Sequence, residues 1–186
     1  MYLIKSGTVR LYKLSEEGKE LTVDILGSGH IFGAIESFTT GAENQYAVAL
    51  EDCVICTIDK AQFEKLIRER PELALKFIEI LSARLKEVEE MLELMAYGSA
   101  RKRLLYLLYK FSLKFGALQS AVEGQDPHWV RLEVKLTHKE LASITGSIRE
   151  TVTELLSDFA GEGIVNKEGL RKSLWVHTER LKEAKI

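Results

Sequence analysis

Two helix starts separated by one glycine constrain this chain more than any other feature. Residues 136–165 read LTHKELASITGSIRETVTELLSDFAGEGIV. Thr137-x-x-Glu140 and Ser147-x-x-Glu150 both have the capping-box spacing. In such a box a hydroxyl satisfies an orphan backbone N–H while the glutamate reaches back to the cap. Gly146, between them, lets a short first helix stop and turn. Leu141, Ala142 and Ile144 give the first predicted helix an apolar side, and Val152, Leu155, Leu156 and Phe159 do the same for the second. Arg149, Glu150, Thr153 and Glu154 are left to face outward. The expectation is a helix-turn-helix, with a helical hairpin inside another fold as the alternative.

The flanking sequence decides between them. Gly161 and Gly163 precede Ile164-Val165, a turn around Glu168-Gly169 and then Leu174-Trp175-Val176. This predicts a two-stranded wing with Arg171 and Lys172 at its tip, placed to meet phosphates. Residues 129–136 (WVRLEVKL) alternate and predict a strand that pairs with the wing. Two short helices, a tight turn, a polar start to the second helix and a wing are what insertion into a DNA major groove requires.

Charge places that activity in the second half. The 186 residues carry a formal net charge of −2, which by itself argues against a polyanion partner. Residues 1–97 hold 11 Lys+Arg against 17 Asp+Glu, and residues 98–186 hold 15 against 11. The excess of base is modest and confined to the helix-turn-helix half. At 46% hydrophobic residues the chain can build real cores. No apolar run approaches the ~18 residues of a membrane span, and nothing reads as a signal peptide. Two cysteines fit a reducing, cytoplasmic setting better than a disulfide scaffold.

The first half predicts short strands at residues 2–5, 8–14, 20–26, 46–50 and 54–58, broken at Ser6-Gly7, at residues 15–18, at residues 27–29 and at Glu51-Asp52. Regular short strands with glycine turns suggest a small antiparallel roll. Residues 27–49 form a polar, glycine-containing segment able to wrap a ligand. Beyond Pro71 a helical pattern runs to Gly98, with Ala74, Ile78, Leu81, Leu85, Val88, Leu92 and Met95 at alternating steps of four and three. That is the a/d seam of a two-stranded coiled coil, with Glu87, Glu89, Glu90 and Glu93 off the seam. The alternative is one helix packed on its own domain. Ser99 or its neighbour caps a following helix that opens with Arg101, Lys102 and Arg103.

In this order the segments resemble the CRP/FNR family of bacterial transcription regulators over nearly the whole chain. The resemblance rests on residues 27–33 (GSGHIFG), on Ile148-Arg149-Glu150-Thr151-Val152 and on Glu162-Gly163-Ile164-Val165. It implies an α+β architecture: an antiparallel β-roll sensor domain (1–70), a dimerisation helix (71–97) and a C-terminal winged helix-turn-helix domain (98–186). It also implies a homodimer, a palindromic double-stranded operator, RNA polymerase as a further partner and no membrane. Relatives carry a helix and further strands ahead of the position of Met1, so the roll read here is expected to be incomplete, with an exposed strand edge.

The same resemblance bears on the ligand. Relatives that bind cyclic AMP hold the ribose with a glutamate and the phosphate with an Arg-Ser pair. This chain has Gly33-Ala34-Ile35 and Asn44-Gln45 in those places, and Glu87 and Val88 near the usual Thr-Ser of the helix. Without the charge-assisted partners, cyclic AMP is not the expected effector. An unknown small molecule, haem with His30 as axial-ligand candidate, or no ligand at all takes its place, with no cofactor predicted; a turn role is the alternative for His30. Cys53-x-x-Cys56 has redox-like spacing, yet two thiols cannot complete a four-ligand cluster, so free buried cysteines and no metal are expected. His128, His138 and His177 lack ligand spacing. Glu36 and Glu43 are weak acid/base candidates, and no catalytic motif stands in context, so no enzyme is expected.

On the family's pattern Arg149 and Glu150 occupy two base-reading positions, whereas Glu154 stands where an arginine is usual. Specificity should therefore depart from the family's common half-site. Thr137, His138, Lys139, Ser147, Thr153, Arg171 and Lys172 complete the expected DNA surface, with Arg101–Arg103 as further phosphate candidates. The rival reading is a small-molecule or haem-binding module whose DNA binding is weak or lost.

Overall fold

The computed structural model describes residues 1–35, 38–39, 45–117, 126–134, 136–166 and 174–185. The chain divides into two units, Met1–Glu93 and Leu94–Ile186.

The first unit is an antiparallel roll followed by helices. Its strands are β1 (Tyr2–Ser6), β2 (Val9–Leu14), β3 (Glu20–Leu26), β4 (Ile31–Phe32), β5 (Ala34–Ile35), β6 (Phe38–Thr39), β7 (Gln45–Ala49) and β8 (Val54–Thr57). They form sheets in the orders β4-β1-β8, β3-β2-β7 and β5-β6. Period-two alternation on β2 turns Val9 and Leu11 inward, where they join Ile4, Leu26 and Phe32 in one core cluster. Gly7 makes the β1–β2 turn at φ 87°, and a side chain there would meet the Asp52 carbonyl at 2.5 Å. Only glycine suits both demands.

Two helices follow, α1 (Lys60–Glu69) and α2 (Glu72–Tyr97). Helix α1 was absent from the sequence expectation, although its signal is present. Asp59 and Gln62 form a complete capping box at its start. Phe63 of α1 and Phe77 of α2 pack edge to face at 5.4 Å, in a second cluster with Met1 that Leu81 also touches. Arg84 reaches Asp24 of β3 at 3.6 Å, with both side chains mostly buried. Phe77, Leu81 and Arg84, at helical spacing, therefore commit one side of α2 to its own roll.

The structure divides the seven seam residues accordingly. Leu81 packs on the roll and Ala74 is half-buried. Ile78, Leu85, Val88 and Leu92 are 57–68% exposed, and Met95 is 38% exposed.

The second unit contains α3 (Ala100–Phe115), β9 (Gly116–Ala117), β10 (Trp129–Leu132), α4 (His138–Thr145), α5 (Arg149–Gly161), β11 (Val165–Asn166), β12 (Leu174–His177) and α6 (Thr178–Lys185). Ser99 caps α3 by accepting from the Lys102 N–H. The wing is present as antiparallel β11 and β12, and β10 pairs with β12 in register Val130↔Val176. The sheet order is β11-β12-β10-β9. The expected strand 129–136 stops at Leu132 in the structure. Strand β9 and helix α6 were not foreseen; Leu181 of α6 is fully buried beside the apolar run of α3. Among the described residues no helix is long and apolar enough to cross a membrane.

Candidate nucleic-acid interface

Local chemistry sets the two helices of the motif. Thr137 accepts from the Glu140 N–H at 3.2 Å, and the Glu140 carboxylate accepts from the Thr137 N–H at 2.7 Å. The first capping box is therefore real. Gly146 ends α4 in the left-handed region at φ 57°, with its N–H and that of Ser147 on the Ala142 carbonyl. Met95 lies 3.2 Å from where a Cβ on Gly146 would sit. A larger residue would be strained and crowded at once.

The second capping box does not form. Helix α5 begins one residue later than the Ser147 pattern implies, and its N-cap is Ile148, which supplies no side-chain hydrogen bond. Ser147 is occupied in closing α4, so its backbone lies too early to cap α5. The tight turn overrides the local Ser-x-x-Glu signal.

Inward-facing Leu141, Ala142, Val152, Leu156 and Phe159 are buried and hold α4 against α5. Thr137, Lys139, Arg149, Glu150, Thr153 and Glu154 are exposed, and His138 and Ser147 half-exposed. One contact crosses between the helices on the polar side: His138 Nδ1 lies 2.8 Å from Thr153 Oγ1. The two residues are 15 apart in sequence, so only the crossing of the helices reveals the pair. Arg171 and Lys172 lie outside the described residues.

Two of the additional phosphate candidates are employed within the protein. Arg103 donates to the Thr145 carbonyl at 2.7 Å and to the Gly98 carbonyl at 2.8 Å. It satisfies helix-end acceptors that would otherwise be orphaned. Arg101 donates to Glu162 at 2.6 Å and lies over the Phe159 ring at 4.8 Å. Their guanidinium groups hold the domain together.

The base of the wing carries a cluster that sequence spacing hid. Trp129 is registered opposite His177 across the β10–β12 pair, which stacks His128 on His177 at 5.6 Å. The His177 Nε2–H donates to Asp126 at 3.0 Å, and His177 Nδ1 accepts from the Arg180 N–H. Asp126 is held below the ordinary carboxylate range, first by the His128 N–H and then by His177. No group of three or more metal-competent side chains occurs among the described residues.

In the roll, Gly33 adopts φ 86° with Tyr2 against it, and Ala34 and Ile35 pair with Thr39 and Phe38. Gln45 opens β7 opposite Lys13, and Glu87 and Val88 are exposed on α2. Asn44, Glu36 and Glu43 lie outside the described residues. His30 Nδ1 bonds to the Gly27 carbonyl at 3.1 Å, which uses that ring nitrogen in the turn. Both cysteines are free, as expected, but neither is buried: Cys53 is half-exposed and Cys56, on β8, is exposed. A strand at a sheet edge does not enclose its side chains.

Comparison with known proteins agrees with this arrangement. Residues 1–70 match the cyclic nucleotide-binding domain, and residues 102–184 match the Crp-like helix-turn-helix domain. The chain is 33% identical over 165 residues to the cyclic AMP receptor protein of Thermus thermophilus, covering 89% of this chain and 70% of that one. It is 30% identical over 180 residues to the global nitrogen regulator of a Synechocystis species, covering 95% and 76%. A CooA mutant from Carboxydothermus hydrogenoformans superposes with a TM-score of 0.77 at 30% identity, covering all of this chain and 78% of that one. FixK2 of Bradyrhizobium japonicum, at 21% identity and a TM-score of 0.79, covers all of this chain and 86% of its own and shares the fold. A capped helix-turn-helix, a paired wing, an antiparallel roll and these relatives lead to one conclusion: the chain belongs to the CRP/FNR family of DNA-binding transcription regulators.

Proposed function

We propose that the protein acts in the cytoplasm as a homodimer on a two-fold symmetric operator, under control of a small molecule sensed by the roll. The observation that carries this reading is the apolar stripe Ile78, Leu85, Val88 and Leu92, left 57–68% exposed on a helix whose adjoining side is already committed to the roll. A soluble chain covers such a stripe, and heptad spacing selects a second copy of the same helix. Two-fold symmetry then sets two α5 helices on half-sites about 34 Å apart. Arg149 reads a guanine, Glu150 accepts from a cytosine amino group, and Glu154 replaces a guanine donor with an acceptor. Thr137, Lys139, Ser147, Arg171 and Lys172 supply the backbone-facing rim. Specific operator binding then places the protein where it meets RNA polymerase.

The effector is a small molecule other than cyclic AMP. Gly33, Ala34, Ile35, Asn44 and Gln45 offer neither the carboxylate a ribose needs nor the cation a cyclic phosphate needs. Its binding favours the dimer geometry that sets both α5 helices in register, a population shift.

Selection of bound DNA from a random duplex pool tests the reading. An enriched inverted repeat with half-sites one turn apart is the expected result; an asymmetric site, or none, would overturn it. On the enriched operator, Arg149→Ala is expected to cost ~1–3 kcal/mol and to relax preference at one base pair. Mobility-shift titration against all four bases at that position checks this, and unchanged preference would remove Arg149 from the reading set.

A further inference from the structure

We infer that Thr153 reads a thymine through its methyl group, and that His138 is the positioning residue that makes it do so. Thr153 is exposed on α5, four residues beyond Arg149 and hence on the same side of the helix. Its hydroxyl has one proton to give, and the Arg149 carbonyl takes it at 2.9 Å. The 2.8 Å contact with His138 Nδ1 is then donated by the imidazole, with the proton on Nδ1. The hydroxyl's one proton and one of its two lone pairs are thus spent on the protein.

A base acceptor such as thymine O4 could be served only by breaking the contact with the Arg149 carbonyl. The γ-methyl carries no such cost, and thymine's C5 methyl is its apolar complement in the major groove. Next to Thr153, Glu154 is an acceptor only, so it cannot pair with the thymine O4 and leaves that base to the methyl contact. His138 stands at the first residue of α4, itself fixed by the Thr137–Glu140 capping box. The bridge therefore runs from a rigid helix start to the reading side chain.

This inference rests on the operator reading above, and the test separates the two. In the enriched operator, each thymine is replaced in turn by deoxyuridine, symmetrically in both half-sites, which removes one methyl and nothing else. At one position the full-length protein should bind about fourfold more weakly per half-site. Thr153→Ser should bind both forms equally, at the level of the wild type on deoxyuridine. Thr153→Val, which keeps a methyl and drops the hydroxyl, should retain the full ratio. His138→Ala should bring the ratio close to one, and His138→Ala combined with Thr153→Val should restore it, because valine needs no orientation. A purely structural histidine would not move that ratio. Equal wild-type binding at every position, persistence of the ratio in Thr153→Ser, its loss in Thr153→Val, or its retention in His138→Ala would each overturn the inference. Failure to enrich any sequence would sink the operator reading along with it.

Discussion

The double substitution Leu85→Lys and Leu92→Lys is expected to yield a folded monomer that no longer holds an operator at concentrations where the native protein does. Both leucines are largely exposed in the single chain, at 60% and 68%, so their replacement takes nothing from either unit's own core. Across a two-fold axis the pair contributes four leucines. At ~1.5–3 kcal/mol for each side chain withdrawn from water, the loss is roughly 6–12 kcal/mol of association free energy. The lower end of that range carries a nanomolar dimer to a dissociation constant of tens of micromolar, and the upper end beyond the millimolar regime. Facing lysines add repulsion at low salt. Sedimentation equilibrium should show the native chain as a dimer and the variant as a monomer, with matching far-ultraviolet circular dichroism. A variant still dimeric at micromolar concentration would move the interface off α2. Val88→Ala, a smaller cut in the same stripe, should weaken association without abolishing it.

Phe159→Ala is expected to destabilise the helix-turn-helix unit by ~3–5 kcal/mol. The ring is fully buried on α5, among Leu141, Val152 and Leu156 of the unit's core. Its loss also strips Arg101 of the aromatic surface it lies over while it bonds to Glu162. Marginal stability makes a loss of this size decisive for one unit. Amide hydrogen exchange should rise sharply through α3, α4 and α5 and little in β1–β3, whose core draws on Ile4, Val9, Leu11 and Leu26. Leu113→Ala, at a site 66% exposed on α3, is the control and should change stability by less than about 0.5 kcal/mol. Uniform exchange across both units after Phe159→Ala would show that they unfold as one, contrary to the division at Glu93.

Much of the fold was legible wherever the signal was local and its period unambiguous. Strand β3 has the bounds that alternation predicts, β1, β2 and β8 differ by a residue at one end, and β7 is shifted by one residue. The Thr137 box, the Gly146 turn, the Ser99 cap and the wing pairing follow from short-range hydrogen-bond chemistry that any fold must satisfy. The start of helix α1 is equally local, set by Asp59 and Gln62 alone. Ser147 is the instructive contrast. Its spacing to Glu150 is that of a cap, yet the geometry of a two-residue turn after Gly146 gives the cap position to Ile148.

The seam on α2 was written in the sequence as seven residues at heptad spacing. Which of them remain uncovered depends on where the roll takes its own share of the helix, through Phe77, Leu81 and Arg84. In the same way, periodicity determined that Thr153 faces outward, whereas the structure alone showed that its hydroxyl is already engaged. Arginines 101 and 103 read as free cations until folding gave them carbonyl and carboxylate partners 42 and 61 residues away. The sequence by itself determined the main roll strands, the long helix, the helix-turn-helix, the wing, their order and the family, because capping, alternation and heptads act within one turn or one strand. Tertiary structure decided which polar groups remain available to a partner, because a side chain's hydrogen-bonding capacity is consumed by neighbours that only the packed chain brings near.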